Sequence, residues 1–367
     1  GVYIFHGDSD RVVSVNYARQ MKKVLADFHP DFAYKEYPGG SHWFSNESVD
    51  WPPLFNFFKS HTILPDSTVN TIDFKTSSPG ISSSYRWATI QQQIAPLQFS
   101  RIQLSRNIAA KTITGSTENI QTLKLAVGQF GKGSSITITL DSLAPLRYST
   151  NSAEDSIWLQ KQNGQWQMAA APGTEQKGPQ RYGTFKEAFN HNMVFVYGTK
   201  GNKAENEWAF NKARYDAETW YYRGNGAVDI IADKEYNTSE YAGRNVIIYG
   251  NASTNSAWSL LLNDSPVQVS RNHVSAGANA WSGDDLAVYF TRPIKNSPMN
   301  AVGVVAGTGL KGMNAANANQ YFAGGSGFPD YMIFRLDMLR DGSQAIELAG
   351  FFDNNWKMDK KNQAGGK

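Results

Sequence analysis

Short apolar runs and polar loops alternate from the first residues onward, and their spacing changes character twice along the chain. Val2-Tyr3-Ile4-Phe5 is a continuous apolar run ended by His6-Gly7-Asp8-Ser9-Asp10, the pattern of a buried strand followed by a loop. Over 14–28, Val15, Ala18, Met21, Val24, Leu25 and Phe28 recur at helical intervals, with Ser14 placed as an N-cap. Ala33 to Tyr37 alternates as a strand, Pro38 to His42 is the loop after it, and Leu54 to Phe58 predicts a closing helix. Strand, helix, strand, loop, helix is a βαβα unit, which calls for a parallel sheet.

Past Pro65-Asp66-Ser67 the period drops to two. Arg101 to Ser105, Leu123 to Val127, Ser135 to Leu140, Ile157 to Leu159 and Trp166 to Met168 are short segments separated by Gly, Asn and Ser turns. That spacing predicts an antiparallel sandwich, with Asn163-Gly164 as a two-residue hairpin turn. Three longer apolar strands then end alike, in Tyr197-Gly198-Thr199, Tyr249-Gly250-Asn251 and Ala306-Gly307-Thr308. Helical stretches at Ala204 to Trp220 and Ser256 to Leu262 lie between them, and Tyr331 to Phe334 predicts another strand. The expected fold is therefore α/β plus β in three domains: a βαβα piece over 1–64, a β-sandwich over 65–175 and a doubly wound, Rossmann-like domain over 176–367.

Composition narrows the functional classes. Hydrophobic residues are 41% and charged residues 18% of the 367, which is globular rather than disordered. The 35 basic and 32 acidic residues are dispersed, leaving +3. With no basic run longer than a pair such as Lys360-Lys361, neither nucleic acid nor an anionic membrane is an expected partner. The absence of cysteine excludes disulfides, thiolate nucleophiles and Cys-based metal sites. No apolar run approaches the roughly 18 residues that span a bilayer. The chain opens inside a strand without methionine, so any targeting signal is expected upstream of Gly1.

The chemistry is concentrated near the start. Asp10 follows the first strand and His42 follows the second, the positions from which loops deliver the acid and imidazole of a serine triad in chain order Ser, Asp, His. The element His6-Gly7-Asp8-Ser9-Asp10-Arg11-Val12-Val13 resembles the HGxxDxxV motif of the prolyl-oligopeptidase and dipeptidyl-peptidase group of α/β-hydrolases and related esterases. Tyr37-Pro38-Gly39-Gly40-Ser41-His42-Trp43-Phe44 resembles the element that presents the triad histidine. The resemblance covers about the first 64 residues and implies Asp10 as triad acid and His42 as base. Asp8 is the alternative acid, and a turn-capping role for both aspartates is the plain one. The remainder has the character of the long extension in large bacterial members of the group, which implies a periplasmic or secreted bacterial protein.

The nucleophile is missing. Only Gly303 and Gly307 have the spacing of a G-x-S-x-G elbow, and Val305 lies between them; Gly324-Gly325-Ser326-Gly327-Phe328 ends in phenylalanine. Ser41, beside His42, points the wrong way. The expectation is a serine hydrolase of peptides or esters whose nucleophile lies upstream of Gly1. The competing expectation is a non-catalytic binding or scaffolding module with a degenerate hydrolase end. No cofactor or metal is expected: no HExxH-like spacing occurs, His6 reads as structural, and His29, His61, His191 and His273 have no evident partners. A possible second crevice is formed by Gly198, Thr199, Gly250, Asn251, Gly307 and Thr308, provided their strands are neighbours. Gly307 to Gly312 lacks the phosphate-loop pattern. Asp284-Asp285 reads as a turn, and the aromatic-rich segment Asp216 to Gly226 suits a cleft, an interface or a packed helix end.

Overall fold

A computed structural model describes residues 1–152, 155–318 and 321–365. Two compact units emerge, Gly1–Val69 and Asn70–Lys367. In the first, β1 (Val2–Gly7) pairs in parallel with β2 (Phe32–Tyr37), from Val2 opposite Phe32 to Gly7 opposite Tyr37. The crossover is α1 (Val15–Phe28), whose Ser14 caps the helix by accepting from the Asn16 amide at 3.3 Å. The closing helix is α2 (Pro52–Lys59), with proline in its first turn where the missing N–H costs nothing. The α1 stripe is only half covered: Val15, Ala18 and Leu25 are buried, while Tyr17, Met21, Val24 and Phe28 face solvent.

The second unit begins with the sandwich. Its strands are β3 (Thr71–Thr76), β4 (Ser84–Tyr85), β5 (Ala88–Gln93), β6 (Ser100–Asn107), β7 (Thr112–Glu118), β8 (Ile120–Ala126), β9 (Ser135–Leu140), β10 (Leu146–Ser149), β11 (Ser156–Gln162) and β12 (Gln165–Ala169). They form two five-stranded sheets, ordered β10-β9-β7-β6-β3 and β12-β11-β8-β5-β4. Pairing is antiparallel throughout except β7 with β9. Ile102, Leu104, Ile113, Ile136 and Ile138 of one sheet are buried, as are Ile90, Leu123, Leu125, Ile157 and Leu159 of the other; polar residues alternate with them, as a two-sheet core requires. Asn163 and Gly164 both take positive φ, 49° and 77°, and close the β11–β12 hairpin with Gln162 opposite Gln165.

An eight-stranded mixed sheet follows. Its strands are β13 (Met193–Tyr197), β14 (Asp229–Ala232), β15 (Asn245–Tyr249), β19 (Leu286–Pro293), β20 (Ala301–Gly307), β21 (Tyr331–Arg335), β22 (Ile346–Phe352) and β23 (Met358–Ala364); β16 (Val267–Ser270), β17 (His273–Ala276) and β18 (Asn279–Ser282) make a separate meander. The order is β14-β13-β15-β20-β19-β21-β22-β23. The half from β14 to β20 is parallel, as expected, but β19, β21, β22 and β23 each pair antiparallel. The layers also differ from a doubly wound domain. Buried residues of α3 (Lys203–Gly224) and α5 (Leu310–Ala315) cover one face, whereas α4 (Ala257–Leu261) and the meander, through Val267, Val269, Val274 and Ala276, cover the other.

The sandwich and the mixed sheet share one compact unit. Gln92 donates to the Lys177 carbonyl at 2.8 Å, and Asn354 donates to the Gln93 carbonyl at 2.9 Å. Behind them the buried Lys177 ammonium donates to Asp330 at 2.5 Å and to the Phe352 carbonyl at 2.9 Å.

Candidate active site

Parallel pairing brings the ends of β1 and β2 together, and two glycines let the loops beyond them touch. A Cβ on Gly7 would stand 2.4 Å from the Gly40 carbonyl oxygen and 2.6 Å from that of Ser41, so only glycine permits this approach. The Ser9 amide donates to the Gly40 carbonyl at 2.9 Å, and Asp8 accepts from the Gly39 amide at 2.7 Å. Asp8 therefore holds the histidine loop in place and makes no contact with the imidazole. The rear of that loop rests on aromatic rings, with Tyr37 stacked on Phe44 at 4.8 Å and Phe5 on Trp51 at 4.9 Å.

These contacts place His42 Nδ1 2.9 Å from Asp10 Oδ2. Asp10 is 5% exposed at its side chain and His42 55%. The other Asp10 oxygen accepts from the Val12 and Val13 amides at 2.8 and 2.9 Å. Burial alone would raise the Asp10 pKa, but the Val13 amide, His42 and the Val12 amide overcome it and hold the carboxyl at about 2. An ionised carboxylate only accepts, so Nδ1 must carry the proton and Nε2 of the neutral ring is a free base. Nε2 has no hydrogen-bond partner among the described residues. His6 Nε2 bonds the Val13 carbonyl at 3.0 Å and lies 3.5 Å from Asp10, clamping the loop as a structural residue.

The neighbouring serine does not complete the group, since Ser41 Oγ donates to the Trp43 carbonyl at 2.8 Å. Nor do the elbow-like segments: Gly303 to Gly307 is a buried stretch of β20, and Ser326 Oγ donates to the Ala323 carbonyl at 2.8 Å. One expectation about the histidines is corrected. His61 does have a partner, Asp31 at 2.8 Å, and its Nδ1 meets the Phe57 carbonyl at 2.6 Å. The pairing spans 30 residues with no motif around it, so spacing gave no signal of it.

Gly198, Thr199, Gly250, Asn251, Gly307 and Thr308 do come together, at the carboxyl ends of the adjacent strands β13, β15 and β20. The space between them is taken up by the protein itself. Asn251 donates to the Gly307 carbonyl at 2.7 Å, Thr199 bonds Asp233, and the Thr254 carbonyl would lie 2.4 Å from a Cβ on Gly198. All but Thr199 are buried. Gly312 would place a Cβ 2.0 Å from the Leu286 carbonyl, so it serves helix–strand packing. Asp284 and Asp285 diverge to separate partners, Lys311 at 3.1 Å and Arg335 at 2.9 Å. In the aromatic-rich segment, Asp216 accepts from Lys212 at 2.8 Å and Tyr249 at 3.0 Å in the core, whereas Tyr221 and Tyr222 are exposed.

No family model matches the chain. An uncharacterized secreted protein of the fungus Arthroderma benhamiae is 23% identical over 372 residues, covering 97% of this chain. The chain spans only 39% of that relative's length. Among the described residues, no helix is long and apolar enough to cross a membrane.

Proposed function

We propose that this chain is the C-terminal part of a serine hydrolase of peptides or esters, supplying the triad acid Asp10 and base His42 to a nucleophilic serine upstream of Gly1. The observation that carries the reading is the 2.9 Å bond from His42 Nδ1 to Asp10, which leaves Nε2 exposed and unbonded on the open side of the loops. In that role Nε2 takes the serine proton during attack and returns it to the leaving group. Asp10 fixes the tautomer and stabilises the imidazolium that forms.

The state of the first unit supports it. Parallel sheets occur with both faces covered, and two strands alone make little core. Among the described residues β1 pairs only with β2, and Met21, Val24, Phe28, Phe55 and Phe58 lie exposed around them. Further parallel strands against that apolar surface would both bury it and offer the strand end from which an elbow serine reaches His42. The relative's secreted character and greater length suit an exported parent protein.

The test is hydrolysis of nitrophenyl esters and aminoacyl-nitroanilides by the protein extended upstream. His42→Ala and Asp10→Asn are expected to lower kcat on the order of 10⁴-fold. Unchanged kcat in both variants would refute the triad roles and favour a non-catalytic module.

A further inference from the structure

A cavity of about 1060 Å³ opens in the second unit, between sandwich loops 77–81 and 95–99 on one side and residues 183–190, 326–329 and the last two strands on the other. Its charged lining residues are Glu187, Lys186 and Lys361. One carboxylate oxygen accepts from the Tyr182 amide at 2.9 Å and the other accepts from the Gly183 amide. Among the described residues no cation pairs with it. Lys177 is committed to Asp330 and Phe352, and the Lys186 ammonium donates to the Ala323 and Ser326 carbonyls at 2.9 and 3.1 Å. Burial, with a smaller contribution from the Asp330 charge, pushes the Glu187 carboxyl up to about 7 against the pull of the two amides and of Lys177. A fixed, desolvated carboxylate with lone pairs to spare is complementary to a cationic donor.

The opposite wall carries exposed apolar side chains, with the Lys75 ammonium 4.3 Å from the centre of the Phe99 ring. Ile81 is 85% exposed and Leu97 83%, with Phe99 beside them also exposed. Leu97 takes φ 60°, a conformation unfavourable for a bulky residue. It is not held there by a loose loop: Asn119 accepts from the Ala95 amide at 2.8 Å and donates to the Ala95 and Gln98 carbonyls at 2.9 and 3.1 Å. Backbone strain and hydrogen bonds are thus used to keep apolar side chains in water at a cavity mouth, which is where a ligand's apolar surface replaces that water.

We propose that this cavity binds an amphiphile with a protonated amine at one end, the amine donating to Glu187 and the apolar body lying across Ile81, Leu97 and Phe99. The site is separate from Asp10 and His42, and the proposal stands or falls independently of the hydrolase reading.

Calorimetric titration of the 367-residue chain at pH 8.5 tests it, with 4-phenylbutylamine and its uncharged counterpart 4-phenylbutanol. At that pH a carboxyl of pKa about 7 is ionised and an alkyl amine is protonated. The amine is expected to bind about tenfold or more tightly than the alcohol, the usual advantage of a charge-assisted hydrogen bond. Glu187→Gln should abolish that preference. Leu97→Asn suits the positive φ and so keeps the loop, and it should weaken both ligands by a similar factor while leaving the preference intact. If Glu187→Gln does not fold, the wild-type preference and the Leu97→Asn result still decide. Failure of the amine to bind, equal affinity for amine and alcohol, or full affinity for both in Leu97→Asn would overturn the proposal.

Discussion

His42 and His61 each bond an aspartate, yet their second nitrogens meet different surroundings: that of His42 has no partner among the described residues, and that of His61 meets the Phe57 carbonyl. Both ring nitrogens of His61 face acceptors, Asp31 and the Phe57 carbonyl, with the Ser60 hydroxyl 3.2 Å from Nδ1, which favours the protonated ring. Its pKa is raised accordingly, first by Asp31 and then by the Phe57 carbonyl. A raised folded pKa means the stabilisation is fully present below the unfolded value of about 6.5 and is lost as pH rises through the folded pKa. Asp10 has the opposite sign. With its carboxyl at about 2, its contribution is present above the unfolded value of about 3.9 and disappears as pH falls through about 2. Nitrogen-15 imidazole spectra should therefore show His61 titrating above an ordinary histidine, and the Nδ1–H tautomer at His42 wherever its ring is singly protonated. A His61 that titrates at or below the ordinary histidine range, or an Nε2–H tautomer at His42, would contradict these assignments. Asp10 and His42 were legible in the sequence because a strand–loop motif surrounds each. Asp31 and His61 were not, because tertiary packing alone pairs them, and Glu187 was not, because its burial is set by the folded chain around it.

At the scale of elements, the sequence carried strand identity better than strand direction. The turn at Asn163-Gly164, the parallel β1–β2 pair and α3 were all readable, since a turn residue, a crossover helix and a helical repeat leave local marks. Leu286 to Pro293 leaves none. Its first six residues are buried, apolar or nearly so, and a run covered on both faces reads the same in either direction. The antiparallel half of the sheet was lost there, together with the meander that stands in for a helix layer. The glycine contact between the loops that carry Asp10 and His42 is an element-scale feature with a direct test. Gly7→Ala places a methyl against the Gly40 and Ser41 carbonyls, which should cost about 1–3 kcal/mol as overpacking and separate Asp10 from His42. Denaturant unfolding would measure the first effect and the His42 tautomer the second. An unaltered melt and spectrum would mean the loops are not held by this approach.

Over the whole molecule, the division falls after Val69 and not between the sandwich and the mixed sheet. The segment 170–190 is stitched into the second unit by buried charge: Lys177 on Asp330, and Arg181 donating to the Ser297 and Asn300 carbonyls at 2.8 Å each. Truncating one partner of a buried ion pair strands the other, so Lys177→Met should destabilise residues 70–367 by about 3–5 kcal/mol. A single cooperative unfolding transition for that fragment is expected as well. Two transitions, with only one of them shifted by Lys177→Met, would show that the sandwich and the sheet fold separately.

The central claim, that Asp10 and His42 serve a serine upstream of this chain, is tested most directly by a fluorophosphonate probe with the labelled residue mapped by mass spectrometry. The isolated 367-residue chain should take up no label, because on this account the Asp10–His42 pair has no nucleophile beside it among the described residues. The protein extended upstream should label stoichiometrically on one serine preceding Gly1, and His42→Ala should abolish that labelling. Stoichiometric label on a serine within residues 1–367, or an extended protein whose labelling is indifferent to His42→Ala, would contradict it.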